Sequence, residues 1–166
     1  MPDRSTTERA KKDLREGKSP STAAGEFVHE EIDHVRHGKH GARSPQQAIA
    51  IGLSKARRTG VPLPPPKRGK AKESTRVSAS RAYEKGQKGE DASPSPRSSH
   101  TRRGVLKQES HRSASHQALS THARRAVRGR SGANRSAAAR KAAATKGGAG
   151  RHAAAQKAAR TRSRRS

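Results

Sequence analysis

Apolar positions crowd into the first part of the chain. Of the 17 Val, Ile, Leu, Met, Phe and Tyr residues, 11 lie in residues 1–63, so a small core is expected there. Within that stretch Ser19 and Pro20 read as the cap and first position of a helix, with Ser21 as an alternative cap. Ala24, Phe27, Val28, Ile32 and Val35 then fall on one arc of a 3.6-residue helix, with Glu26, Glu30 and Asp33 opposite. Gly38 and Gly41 break this helix. A second one starts at Arg43-Ser44-Pro45-Gln46-Gln47, where Ser44 and Gln47 have capping-box spacing. Ala48, Ile49, Gly52, Leu53 and Ala56 form its stripe, with Gly52 permitting close approach of the first helix and Ile51 falling outside the stripe. Lys55, Arg57 and Arg58 suit a helix C-terminus, Gly60 a left-handed cap, Val61 the contact that follows, and Pro62 a stop. Residues 20–62 thus read as a helical hairpin preceded by a basic arm, residues 1–19. A strand over Ala48–Leu53 is disfavoured by two alanines and a glycine between helix caps. A DNA-reading helix-turn-helix is disfavoured by the eight-residue connection and by the acidic first helix, which phosphate would repel.

Periodicity fades beyond Pro62. Residues 63–112 open with a polyproline stretch and continue through Gly, Ser, Pro and charge, which predicts a flexible linker. A short helix from Ser74 to Lys85 carries only Val77 and Tyr83, too little apolar surface to dock firmly. In the last segment, residues 113–166, Ser115 can cap a helix through Ala118, Leu119, Ala123, Ala126 and Val127 to Gly129, with His122, Arg124, Arg125 and Arg128 on its other faces. An internal repeat follows: the ten residues from Ala137 and those from Ala153 agree at seven of their first nine positions.

Composition sharpens this picture. The 166 residues hold 39 Lys and Arg against 13 Asp and Glu, a formal charge of +26, while Leu, Ile, Val and Phe number only 15. That combination falls in the compositional region of disorder. The expected fold class is mostly disordered, all-α where ordered: a small N-terminal helical hairpin, a flexible linker and Ala/Arg/Lys-rich helical tail segments that are largely unfolded alone because like charges repel. The charge is also polar along the chain, +4 over residues 1–62, +12 over 63–130 and +10 over 131–166, where no acid occurs. Cysteine is absent, which removes disulfides and thiolate chemistry. The charged N-terminus has no apolar signal region, and no window nears a membrane span, so a soluble intracellular protein is expected.

The stretch from Arg15 to Pro66, with SPSTAAGEF, HGKHGARSPQQ and AIAIGLSKARRTGV as its most distinctive runs, resembles a family of small basic bacterial proteins carrying a domain of unknown function. The resemblance implies a bacterial source and a compact N-terminal domain before a variable basic tail, but no activity. Charged residues are common in such relatives where this chain has His29, His34 and His37, which weighs against a metal site. The tail is similar in composition to linker-histone and bacterial histone-like tails.

Electrostatics then points to function. Were about 8 of the 27 cations in residues 63–166 to meet phosphates, the salt slope on B-DNA would be about 7. The expected nucleic-acid-binding residues are Arg124, Arg125, Arg128, Arg130, Arg135, Arg140, Lys141, Lys146, Arg151, Lys157, Arg160, Arg162, Arg164 and Arg165. With no rigid element to aim side chains at base edges, binding without sequence preference is expected. DNA is the expected partner and RNA stays open, although Phe27 and Tyr83 make no stacking platform. No membrane partner is expected, since the tail has only Ala beside its cations. The implied address is a bacterial cytoplasm, at the nucleoid. The alternative is a protein-interaction module in which the hairpin, through its acidic face, recruits an unknown protein while the tail tethers it to nucleic acid or the ribosome. A variant of that alternative has the acidic face hold the basic tail intramolecularly until DNA competes it away.

Chemistry finds little foothold. His29 and His34 flank a Glu-Glu pair but are five apart, where the zinc-protease helix needs four. His34, His37 and His40 have i, i+3, i+6 spacing, for which a solvated face is the favoured reading. No catalytic residue, cofactor, metal or enzyme activity is expected. Ser93-Pro94-Ser95-Pro96-Arg97 offers a modification motif of a kind common in linkers.

Overall fold

The computed structural model describes residues 2–89 and 96–163. Seven α-helices and one 3-10 turn account for most of them, and among the described residues no strand occurs: α1 Arg4–Arg15, α2 Pro20–Arg36, α3 Pro45–Arg58, α4 Glu73–Gln87, α5 Pro96–Gln108, the 3-10 turn His111–Ala114, α6 His116–Arg128 and α7 Gly132–Ser163. Two units are distinguished, Met1–His122 and Ala123–Ser166.

In the first unit the starts of α2 and α3 follow their caps. Ser19 Oγ accepts the Thr22 N–H at 3.3 Å before Pro20 opens α2. Ser44 Oγ accepts the Gln47 N–H at 3.3 Å, while Gln47 Oε1 reaches back one residue beyond the cap and accepts the Arg43 N–H at 2.7 Å, a shifted form of the capping box. At its other end Gly60 takes φ +87°, which a Cβ would strain, and Val61 N–H returns to Ala56 O at 3.1 Å. α2 and α3 pack together at their tightest where Gly52 meets α2: a Cβ on Gly52 would lie 2.7 Å from Val28 Cα. Residues 4–15, read in the sequence as part of a basic arm, form α1, which buries Thr6, Ala10 and Asp13 against α2.

The core has two apolar clusters. One joins Ala10, Ala23, Ala24, Phe27, Ala56 and Val61, with Leu14, Leu53 and Leu63 at its margin; the other joins Val35, Ala42, Ala48 and Ala114, with Ile32. Ala114 comes from the 3-10 turn, which is fixed by Arg36 Nε–H donating to Ala114 O at 2.9 Å. Gly41 N–H donates to Leu106 O at 2.8 Å and Ala42 N–H to Ser110 O at 3.1 Å, which joins the end of α5 and the segment after it to the loop between α2 and α3.

These contacts overturn the expectation of a mostly disordered chain with a flexible linker, though all-α is right. The reason is what fills the core. Nine of its twelve buried apolar residues are alanines, which an inventory of Leu, Ile, Val and Phe leaves out. Alanine brings helices close enough for many short dispersion contacts while surrendering no side-chain entropy. α4 illustrates this. It packs on α3 through buried Ala79 and Ala82 and through Gly86, where a Cβ would stand 1.9 Å from Arg57 O. The Gln87 amide also donates to Gly60 O at 3.0 Å. The docking that Val77 and Tyr83 were too few to support is thus made by small residues. The polyproline stretch is held too, because buried Arg57 donates from Nε to Leu63 O at 3.2 Å and from Nη2 to Pro64 O at 3.3 Å.

In the second unit α7 runs from Gly132 to Ser163 with one interruption at Gly147, whose φ of 63° and ψ of −176° only glycine adopts readily. The expected unfolding of this segment by charge repulsion is corrected as well. From Arg135 to Arg151 no two cations stand three or four apart, so like charges are not stacked on adjacent turns, and alanine supplies the best helix propensity. No helix among the described residues is long and apolar enough to cross a membrane.

Candidate functional site

Two sets of charged residues stand apart, one exposed and one buried. The exposed set is the one expected from the sequence. Arg124, Arg125 and Arg128 lie on α6, Arg130 in the turn after it, and Arg135, Arg140, Lys141, Lys146, Arg151, Lys157, Arg160 and Arg162 on α7; Arg164 and Arg165 lie outside the described residues, as do Ser93 to Ser95 of the modification motif. α6 segregates its surface. At 100° per residue Leu119, Ala123, Ala126 and Val127 share one arc and Arg124, Arg125 and Arg128 another. α7 instead spreads its cations around the axis, so no single cationic face forms. Three of the arginines bond to the backbone: Arg135 Nη1 to Arg130 O at 2.6 Å, Arg151 Nη1 across the Gly147 interruption to Ala143 O at 3.3 Å, and Arg162 Nε to Ala158 O at 3.4 Å. The sequence holds no acidic residue after Glu109, so the second unit carries no carboxylate side chain to offset these charges.

The buried set was not expected. Between the two apolar clusters, α2 presents Glu30 and Glu31, respectively 5% and 1% exposed. Lys55 of α3 answers both, its Nζ lying 2.6 Å from Glu31 Oε2 and 3.1 Å from Glu30 Oε1. Glu30 Oε2 also accepts the Asp3 N–H at 3.1 Å, so the start of α1 closes over it. Beyond the end of α2, His40 Nε2 stands 3.2 Å from Glu31 Oε1, and His34 Nε2 lies 3.7 Å from Asp3 Oδ2 and 3.9 Å from Glu30 Oε1. Neither Glu31 oxygen has a contact with hydrogen-bond geometry, and the buried Nε2 of His34 has none either. Burial would lower Lys55, but its pairing with the Glu31 and Glu30 carboxylates outweighs that and raises it above the ordinary lysine value. His34 moves the other way. Burial first, then the charges of Lys55 and Lys39, hold it below the ordinary histidine value, so its ring is neutral at pH 7.

The acidic back expected on α2 is therefore not a free acidic surface. Glu30 is internal, Glu26 pairs with Arg9 of α1 at 2.6 Å, and Asp33 pairs with His29 at 3.1 Å. Glu31 was missed although a signal existed: it stands four residues after Phe27 and four before Val35, in the middle of the apolar arc. Lys55, read as a helix-terminal charge, likewise stands three residues after Gly52 and seven after Ala48, on the buried side of α3. The three histidines considered together part company. α2 ends at Arg36, so His40 follows no helical spacing; the chain turns it back onto Glu31, while exposed His37 bonds through Nδ1 to Asp33 O at 2.8 Å.

Within the first unit, α1 to α3 surround a buried charged seam. Residues 8–68 match a family described as a family of unknown function (DUF6496). The matched span contains Glu30, Glu31, His34, His40 and Lys55, and it contains none of α4 to α7. No curated protein and no solved structure matches the chain.

Proposed function

We propose that this protein binds nucleic acid, duplex DNA foremost, without sequence preference, in a bacterial cytoplasm at the nucleoid, and that the cations of α6 and α7 make the contacts. One observation carries the reading: from Ala123 to Ser163 the chain is largely helical, its described arginines and lysines are exposed, and it contains no acidic residue. Each Lys or Arg that meets a phosphate releases condensed counterions, which makes binding tight at low salt and steeply salt-dependent. Arginine supplies two parallel donors to one phosphate and enters narrow minor grooves. Because α7 distributes its cations around its axis, it can meet phosphates from more than one side, which suits coating or bridging better than reading one groove. A bend at Gly147 lets its two halves follow separate stretches of duplex.

The test is a salt series of binding to duplex DNA, structured RNA and heparin with the full chain and with a variant in which Arg140, Lys141, Arg151, Lys157 and Arg160 are all Gln. The expected outcome is a steep salt dependence for the native chain and a slope smaller by about 0.9 for every phosphate contact the variant loses. An unchanged slope would remove α7 from the interface. Equal affinity for heparin and DNA at matched charge would reduce the second unit to a charge tether and shift attention to a protein partner of the first.

A further inference from the structure

The seam between α1, α2 and α3 contains more donor atoms than its protons satisfy. His40 Nδ1 lies 3.0 Å from Gly41 O. A carbonyl only accepts, so Nδ1 carries the proton, and in the neutral ring Nε2 keeps its lone pair. That lone pair faces Glu31 Oε1 at 3.2 Å, an acceptor against an acceptor unless a positive group stands between or upon them. Glu31 is 99% buried on the complement of its 1% exposure, and neither of its oxygens has a hydrogen bond. Lys55 takes the Oε2 side, which leaves Oε1 turned toward the imidazoles. The Nε2 of His34 is buried and orphaned beside the same group, and the His34 and His40 rings stand edge to face, 6.1 Å apart.

We infer that Glu31, His34 and His40 form a binding site for one divalent transition-metal ion of the zinc class. One carboxylate and two imidazoles are the donor set such ions prefer, hard magnesium and calcium favouring oxygen alone. Their ligand atoms lie within 4.8 Å of one another. A tetrahedral zinc ion sets donor atoms roughly 3.4 Å apart, given bonds of about 2.1 Å. The Glu31–His40 pair already meets that separation, and small side-chain rotations close the remainder. Outer partners are in place as well: Gly41 O fixes the His40 tautomer, and Lys55 orients Glu31 from its other oxygen. Asp3 and Glu30, which form a second donor group with His34, flank the site on the α1 side and can supply the fourth ligand. A groove of about 690 Å³ between α1 and α2 reaches His34, its lining combining Asp3, Glu26, Glu30 and Asp33 with Arg9 and Lys39, while Glu31 and His40 lie beyond that lining. Such an ion ties the loop after α2 to α2 itself.

The test titrates the full chain with Co²⁺ and then Zn²⁺ in a non-coordinating buffer, followed by visible absorption and calorimetry. His34→Ala and His40→Ala are compared with a His116→Ala/His152→Ala control on exposed positions outside the groove. The expected result is one ion per chain, a Co²⁺ band of four- or five-coordinate intensity that Zn²⁺ abolishes, affinity reduced at least about 10-fold in each ligand variant, and no loss in the control. The site is overturned if either ligand variant keeps native affinity or if the control loses as much. It is also overturned if the native chain shows no band or only the weak one of octahedral Co²⁺. Should the ligand variants not fold, histidine ¹⁵N spectra of the native chain decide. One equivalent of Zn²⁺ shifts the ring nitrogens of His34 and His40 and leaves the other seven histidines in place; any other pattern refutes the assignment.

Discussion

The first unit and the second use the same residue types for opposite ends. In the first, alanines are buried between helices and the carboxylates Glu30, Glu31, Glu26 and Asp13 are turned inward or paired: Glu30 and Glu31 on Lys55, Glu26 on Arg9, Asp13 on Lys18 at 2.6 Å. In the second, alanines stay exposed along α7 and the cations have no carboxylate side chain among them. Alanine stabilises the first unit by packing and the second by helix propensity alone. The lesson is that a composition typical of disorder can contain a folded domain when its small residues have partners at contact distance, and that acids decide which stretches turn inward.

The largest effect that tests this contrast is at Phe27, the one aromatic residue of the core and fully buried. Phe27→Ala is expected to cost about 3–5 kcal/mol and to unfold the first unit in denaturant titrations. A loss below about 1 kcal/mol would mean that alanine contacts hold the unit without it. A paired glycine experiment comes next. Gly52→Ala places a Cβ against the α2 backbone and is expected to cost about 1–3 kcal/mol, because neither helix can yield without opening the interface. Gly147→Ala meets nothing within 4 Å, and there the helix is expected to rewind through the bend, raising the helical circular dichroism signal with no loss in the unfolding midpoint of the first unit. If both substitutions destabilise alike, the two units are not distinct in packing. The smallest expected effect is at the start of α3, where Ser44→Ala removes the bond to the Gln47 N–H at a cost of about 1 kcal/mol, read by the same titration.

Much of the fold was legible in the chain, unevenly. Caps at Ser19 and Ser44 and the left-handed Gly60 were readable because each depends on a few neighbouring residues and their backbone. The close approach at Gly52 was readable from one stripe. α1 and the docking of α4 were not, since no large apolar side chain marks either and both depend on alanines or a glycine meeting a partner distant in sequence. The buried seam was half legible: Glu31 lay in the apolar arc, but His40 reaches it only through the turn after Arg36.

By itself the sequence determined the all-helical class, the main helix starts and the one-sided charge of residues 123–166, because propensity, capping and net charge are sums over local terms. Tertiary structure alone decided which alanines form a core, that Lys55 faces two carboxylates, and that His34 and His40 converge on Glu31. Contacts of that kind join residues up to 78 apart, as Arg36 and Ala114 are, and their energies exist only once the backbones have met.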